Sequence, residues 1–248
     1  GLWTRSIPCV YLTHQLHIHS PNMALSLLAQ KVHYKFINRF SECWVPDFEE
    51  NGLAGKLSHP AHMPEADVKY IGPLSRLQKT EAKQTIDIFA SLSGPEPQRT
   101  IFEKILAPQL KKSGKKVVFL RGLPGETKTS YTDTDQFKMY NHLPAKKFNE
   151  MIQKAKLVIA RAGYSTVMDL AAIAQKAVLV PTPGQSEQEY LAKQLQEQNL
   201  FMAADQDNFI LEDELRKVSQ FPFAEPVKTN DNLLDAVVKD FLERLRLS

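Results

Sequence analysis

The chain has 248 residues, 43% hydrophobic and 24% charged, ordinary globular material that argues against an intrinsically disordered chain and leaves room for one large or two medium domains with real cores. Its 31 basic and 28 acidic residues give a formal net charge of +3, too little to point to nucleic acid, and no run of like charge exceeds a few residues. Two cysteines, Cys9 and Cys43, without a CxxC spacing, argue against a disulfide framework or a cysteine zinc site and suit a reducing compartment.

No stretch approaches about 18 consecutive apolar residues and none has the order of a signal peptide, so the expectation is a cytoplasmic protein. The first strand is expected at Pro8 to Leu12. His14 closes it, and a histidine there suits a base near neutral pH or a polar core position. His17 and His19 lack a neighbouring carboxylate or cysteine to complete a ligand set, so no metal is expected.

Met23 to Phe40 repeats apolar residues at helical spacing beside Lys31, His33, Lys35 and Arg39. Such a helix lies on an anionic membrane surface or packs on its own lobe. A second strand follows at Glu42 to Val45. Residues 1–64 read as part of an α/β lobe, expected to lack its first β-α units.

From Asp67 the chain alternates strand and helix. Strands are expected at 68–71, 85–90, 116–120, 137–140, 157–160 and 177–180; helices at 99–112, 144–155, 165–174 and 187–196. The runs VVFL, LVIA and AVLV are unbroken, as befits parallel strands buried on both faces. The loop Ser91 to Arg99 joins a strand to a helix, and there the Ser93 hydroxyl and the Gly94 backbone are candidate phosphate contacts, though simple turn chemistry explains them too. The loop lacks the GxxxxGK[ST] spacing of ATP chemistry. Arg121, after VVFL, is either a cation at the same rim or an ordinary surface arginine.

Residues 160–193 carry the densest signal, two strand-loop-helix units with their polar groups in the loops. In the first, Leu157 to Ala160 ends at Ala162-Gly163-Tyr164-Ser165, and a helix begins with Thr166 and Asp169 near its start. In the second, Val180 gives way to Pro181-Thr182-Pro183-Gly184, followed by Gln185, Gln188 and Glu189. Thr-x-x-Asp at a helix start also matches a capping box, and acids at a helix start also suit its dipole. Asp231 to Ser248 closes the chain as an amphipathic helix.

A glycine-bearing run of small residues, Thr166-x-x-Asp169, a strand ending in Val180-Pro181 and then Gln188-Glu189 resembles the nucleotide-sugar half of the two-lobed GT-B glycosyltransferases. The resemblance is closest to the family of the peptidoglycan enzyme that adds N-acetylglucosamine to lipid I. It implies an α/β fold of GT-B type: a partial N-terminal lobe (1–64), a Rossmann-like doubly wound C-terminal lobe (65–230), and a helix (231–248) returning toward the first lobe. It implies a UDP-sugar donor, an acceptor that is a glycolipid or another cell-envelope molecule, transfer with inversion, no further cofactor, and a place at the inner face of a membrane.

By the same resemblance Ser93, Gly94 and the segment Ala162, Gly163, Tyr164, Ser165, Thr166 hold the diphosphate side of the donor, at whose rim Arg121 is the candidate cation read from its position, and Leu143 offers main-chain atoms to the uracil ring. Asp169 takes the ribose hydroxyls where the family usually has Glu. Gln185, Gln188 and Glu189 face the sugar, Glu189 replacing an amide with a pure acceptor, and His14 stands where the family has an acid on the acceptor side. Alternatives on the same scaffold are a nucleotide-sugar hydrolase and an inactive nucleotide-sugar-binding protein.

Overall fold

The computed structural model describes residues 7–18, 23–126, 130–132, 134–225 and 233–247. The chain forms two compact units, Ser75–Val227 and Gly1–Leu74 with Lys228–Ser248.

The smaller unit has a parallel sheet of β1 (Val10–Leu12), β2 (Glu42–Val45) and β3 (Asp67–Tyr70), in that order, with α1 (Met23–Ile37) linking the first two. Its core gathers Leu16, Ile37, Cys43 and Val45, with Tyr11, Tyr34, Val68 and Tyr70 packed around them. Burial pushes the Cys43 thiol up to about 12. Asp47 is fully buried, and its carboxylate accepts from the Phe48, Leu53 and Ala54 N–H groups and the Ser58 hydroxyl, so the loop to Ser58 is wound round one satisfied charge. α7 (Leu233–Leu247) belongs to this unit: Phe241 meets the Trp44 ring edge-on at 5.7 Å, and Arg244 pairs with Glu42.

The larger unit carries a seven-stranded sheet in the order β10-β9-β8-β4-β5-β7-β6. Its strands are β4 (Ile86–Ser91), β5 (Val117–Leu120), β6 (Ser130–Thr132), β7 (Phe137–Tyr140), β8 (Ala155–Ala160), β9 (Ala177–Leu179) and β10 (Met202–Ala203). All pairs are parallel except the edge pair of β6 with β7. Helices α2 (Gln98–Lys112), α3 (Ala145–Gln153), α4 (Tyr164–Ala172), α5 (Ser186–Glu197) and α6 (Leu211–Gln220) complete it. Strand β5, Val117–Leu120, is buried at every position, which is why it reads as an unbroken apolar run.

The structure departs from the sequence reading at three points. The strand at residues 68–71 was assigned to the second lobe, but β3 pairs with β2, Cys43 opposite Val68, so the division falls after Leu74 and not after 64. An apolar run announces a strand without naming its neighbour. Helix α6 carries no sequence expectation, because LEDELRKVSQ has only three apolar residues, Leu211, Leu215 and Val218, with which it packs on the core. Finally, α4 opens at Tyr164 with Gly163 as its cap and no side-chain cap bond, so Thr166 and Asp169 form no capping box. The ends of the terminal helix assigned to 231–248 fall outside the described residues at 231, 232 and 248.

Candidate functional site

In the larger unit β4 comes first; the chain moves outward through β5 to β7, then returns to the other side of β4 as β8. The loops at the carboxyl ends of β4 and β8 therefore run to opposite sides, which leaves a crevice where strand order reverses. A cavity of about 340 Å³ lies there. Its wall takes Ser91 at the end of β4 with Leu92 and Ser93 after it, Gly122 and Pro124 after β5, His142 and Leu143 after β7, and Ser165, Thr166 and Asp169 on α4. Arg76 and Phe148 close one side, the Arg76 guanidinium 5.3 Å from the Phe148 ring centre.

Gly122 sets how closely the first two loops approach. It has φ +72°, and a Cβ there would lie 2.2 Å from the Leu92 carbonyl oxygen. Only glycine fits both demands. Across the cavity, Gly163 is extended at the entry to α4, and the first-turn N–H groups beyond it have no helical acceptor, giving a positive end suited to an anion.

Asp169 is 6% exposed. Its Oδ1 accepts from the Ser75 hydroxyl at 2.8 Å and the Arg76 N–H at 3.3 Å; its Oδ2 accepts from Arg76 Nε at 3.1 Å. A carboxylate has about four acceptor sites. Three are in use, and a ligand hydroxyl has room for one bond before it must displace the Arg76 side chain, which is 70% exposed.

The loop between β9 and α5 is bonded to itself. Gln188 Oε1 accepts the Thr182 N–H at 2.9 Å, Glu189 Oε1 accepts the Gly184 N–H at 2.8 Å, and the Gln188 amide donates to Gln185 Oε1. Gly94, at φ +99°, brings the β4 loop alongside: a Cβ there would stand 3.6 Å from Thr182 Oγ1. Arg121 is committed elsewhere, its Nε to Glu103 at 2.6 Å and its NH1 to Asn141 at 2.9 Å.

The structure thus brings Ser93, Leu143, Ser165, Thr166 and Asp169 to one cavity. Ala162, Gly163 and Tyr164 form the entry to α4, and Gly94, Gln185, Gln188 and Glu189 stand at the next loops along the sheet. His14 lies in the other unit, in the loop at the carboxyl end of β1. Sequence reasoning missed Ser75, Arg76, Gly122, His142 and Phe148. Only Gly122 left a signal, a glycine directly after a buried strand and its closing arginine. His142 Nδ1 is buried on the cavity wall with no hydrogen-bond partner. Among the described residues no cluster of His, Cys, Asp or Glu is placed to hold a metal, and His19 lies outside them. Among the same residues no helix is long and apolar enough to cross a membrane.

The family model described as "Glycosyltransferase family 28 C-terminal domain" matches residues 95–245. No curated protein matches the chain by sequence. Among solved structures, a glycotransferase of kitacinnamycin aligns with TM-score 0.59 at 13% identity over 98% of this chain and 67% of its own. MurG of Acinetobacter baumannii aligns with TM-score 0.55 at 14% identity, over 97% of this chain and 69% of its own. A Listeria monocytogenes protein described as a "putative UDP-N-acetylglucosamine 2-epimerase" aligns with TM-score 0.56 at 10% identity, over 99% of this chain and 70% of its own. The chain spans about two thirds of the length of these neighbours, and identities this low show a shared GT-B fold and no more.

Proposed function

Because the chain belongs to glycosyltransferase family 28, we propose that its larger unit holds a UDP-sugar donor in the cavity beside β4 and that the enzyme passes the sugar, N-acetylglucosamine first among candidates, to a glycolipid or other cell-envelope acceptor. One observation carries this reading. Ser93 after β4, Leu143 after β7, and Thr166 and Asp169 on α4 come from three separate elements and share one cavity at the reversal of strand order.

In this assignment the base lies beside Leu143, the ribose hydroxyls bond Asp169, and the diphosphate takes Ser93 and the N-terminus of α4. The sugar then extends toward Gln185, Gln188 and Glu189. The acceptor oxygen attacks the anomeric carbon from the face opposite the diphosphate, the bond to the diphosphate oxygen breaks, and configuration inverts. Charge gathers on the leaving phosphate, where the fixed positive end of α4 stabilises it more in the transition state than in the bound donor. The attacking hydroxyl gives up its proton as its bond forms, and His14 is the proposed base on the acceptor side. The proposed place of action is the cytoplasmic face of a membrane, reached by peripheral contact.

Calorimetric titration with UDP, dTDP, GDP and CDP tests the donor assignment: UDP binds tightest, and a chain that binds none of the four ends this reading. Following UDP release from UDP-sugar with and without a lipid acceptor then separates transfer from hydrolysis, since release independent of acceptor means water is the acceptor.

A further inference from the structure

Arg161 follows β8 directly, one residue past the cavity-lining Ala160, and by strand alternation its side chain turns to the opposite face of the sheet. There it is 1% exposed. NH1 donates to the carbonyls of Val180 and Pro181 at 3.3 and 3.2 Å; NH2 donates to the carbonyl of Gln98 at 3.0 Å and to Gln206 Oε1 at 2.6 Å. All four acceptors are neutral. The guanidinium rests on the Phe102 ring, 4.6 Å from its centre, and Nε has no partner. Burial, with no carboxylate offsetting it, pushes the pKa down to about 10.

These bonds orient the charge without neutralising it. A buried cation lacking a counter-ion is costly, and a clamp between loops needs no charge at all. An independent observation lies one residue beyond the clamped Pro181 carbonyl. The Thr182 hydroxyl is 1% exposed and unpartnered. It faces Gly94, where an added Cβ would stand 3.6 Å from Thr182 Oγ1 and meet nothing else within 4 Å. Three loops at the carboxyl end of the sheet therefore meet round an unpaired cation, an unused hydroxyl and an open position on a glycine backbone.

We propose that Arg161 is the buried counter-charge of the donor's diphosphate, a positioning residue acting through space and through the loops it clamps, and that the Thr182 hydroxyl donates to a phosphate oxygen seated at Gly94. This rests on the donor assignment above. The anion supplies the charge that the chain itself does not, which makes the site selective for a diphosphate over a neutral nucleoside.

The test is calorimetric titration of wild type, Arg161→Met, Arg161→Lys and Thr182→Val with UDP and with uridine. Arg161→Met is expected to lose about tenfold more affinity for UDP than for uridine, as removal of one buried charge predicts. Arg161→Lys, which keeps the charge, holds the wild-type ratio, and Thr182→Val loses about fivefold for UDP alone. Equal losses for UDP and uridine in Arg161→Met overturn the proposal and leave a neutral clamp. Should that variant not fold, an unchanged UDP-to-uridine ratio in Thr182→Val overturns it instead. A wild-type chain that binds no UDP removes the donor assignment along with this inference; one that binds UDP while the variants keep its ratio removes this inference alone.

Discussion

The cavity beside β4 and the loop between β9 and α5 stand at the same end of one sheet, yet they treat their polar groups in opposite ways. Round the cavity, groups from distant parts of the chain converge and keep spare capacity: His142 Nδ1 has no partner, and Asp169 has an acceptor site left. In the β9 loop, Gln185, Gln188 and Glu189 spend their side chains on each other and on the Thr182 and Gly184 N–H groups. Buried polar groups left open ask for a ligand, whereas groups satisfied within a loop hold its shape. On the proposed function the first region binds the nucleotide, and the second, whose Thr182 hydroxyl is left open, is otherwise firm where a ligand passes over it.

The sharpest challenge to that contrast is Asp169→Ala. Loss of a carboxylate that accepts charge-assisted or paired hydroxyl bonds is expected to weaken UDP binding at least about 100-fold. The change also strips Ser75 and Arg76 of their acceptor, at a cost of about 1–2 kcal/mol in unfolding free energy. Calorimetry and a denaturant melt read the two effects separately, and undiminished UDP affinity would break the assignment of the cavity.

Two glycines sharpen the contrast next, because both have positive φ and only one is crowded. Gly122→Ala must push against the Leu92 carbonyl 2.2 Å away, so it opens the cavity wall; UDP affinity falls about tenfold or more and stability by about 2–3 kcal/mol. Gly184→Ala, at φ +80° with nothing within 4 Å, carries only backbone strain of about 1 kcal/mol. A melting curve and a UDP titration on each variant decide it: equal effects would mean that close approach at Gly122 does not shape the site.

Much of this was legible beforehand, and the reason lies in burial. Parallel strands covered on both faces leave apolar runs such as VVFL and LVIA, so the β-α order, and with it the loops that carry Ser93, Thr166 and Asp169, could be placed from sequence. What the polar groups bond to could not. Asp169 meets Ser75 across 94 residues of chain, and no local pattern announces that. The same holds for Arg121, whose pairing with Glu103 depends on how α2 docks on β5. Helix α6 is hard to read from sequence because its apolar stripe is short, Leu211, Leu215 and Val218 within a charged ten-residue segment.

Gln188→Ala probes the second region from its own side. The Thr182 N–H loses its acceptor and Gln185 a donor, for about 1 kcal/mol of stability. If the loop is firm so that a sugar can rest on it, affinity for UDP changes less than about twofold while affinity for UDP-N-acetylglucosamine falls about five- to tenfold. A competition titration of the two ligands measures that ratio, and parallel losses would assign Gln188 to loop structure alone.

The smallest effect comes from the opposite end of the sheet. Asp87, early in β4, accepts from Lys156 Nζ at 2.8 Å and from the Lys116 N–H at 2.8 Å. The Lys156 hydrogen bond, first, and then the Lys116 N–H hold its carboxyl below the usual carboxylate range. A lowered folded-state pKa means that the ionised form contributes stability above the unfolded value of about 3.9, and that this contribution is lost as pH falls through the folded value. The pair is partly open to water, so the stabilisation is modest, about 0.5 kcal/mol. Asp87→Asn should therefore melt slightly earlier than wild type at pH 7, match it once the pH has fallen below the lowered folded-state value, and bind UDP with unchanged affinity. A loss of UDP binding in that variant would show that the amino and carboxyl ends of the sheet are coupled, and the division between ends that hold the fold and ends that hold the ligand would have to be redrawn.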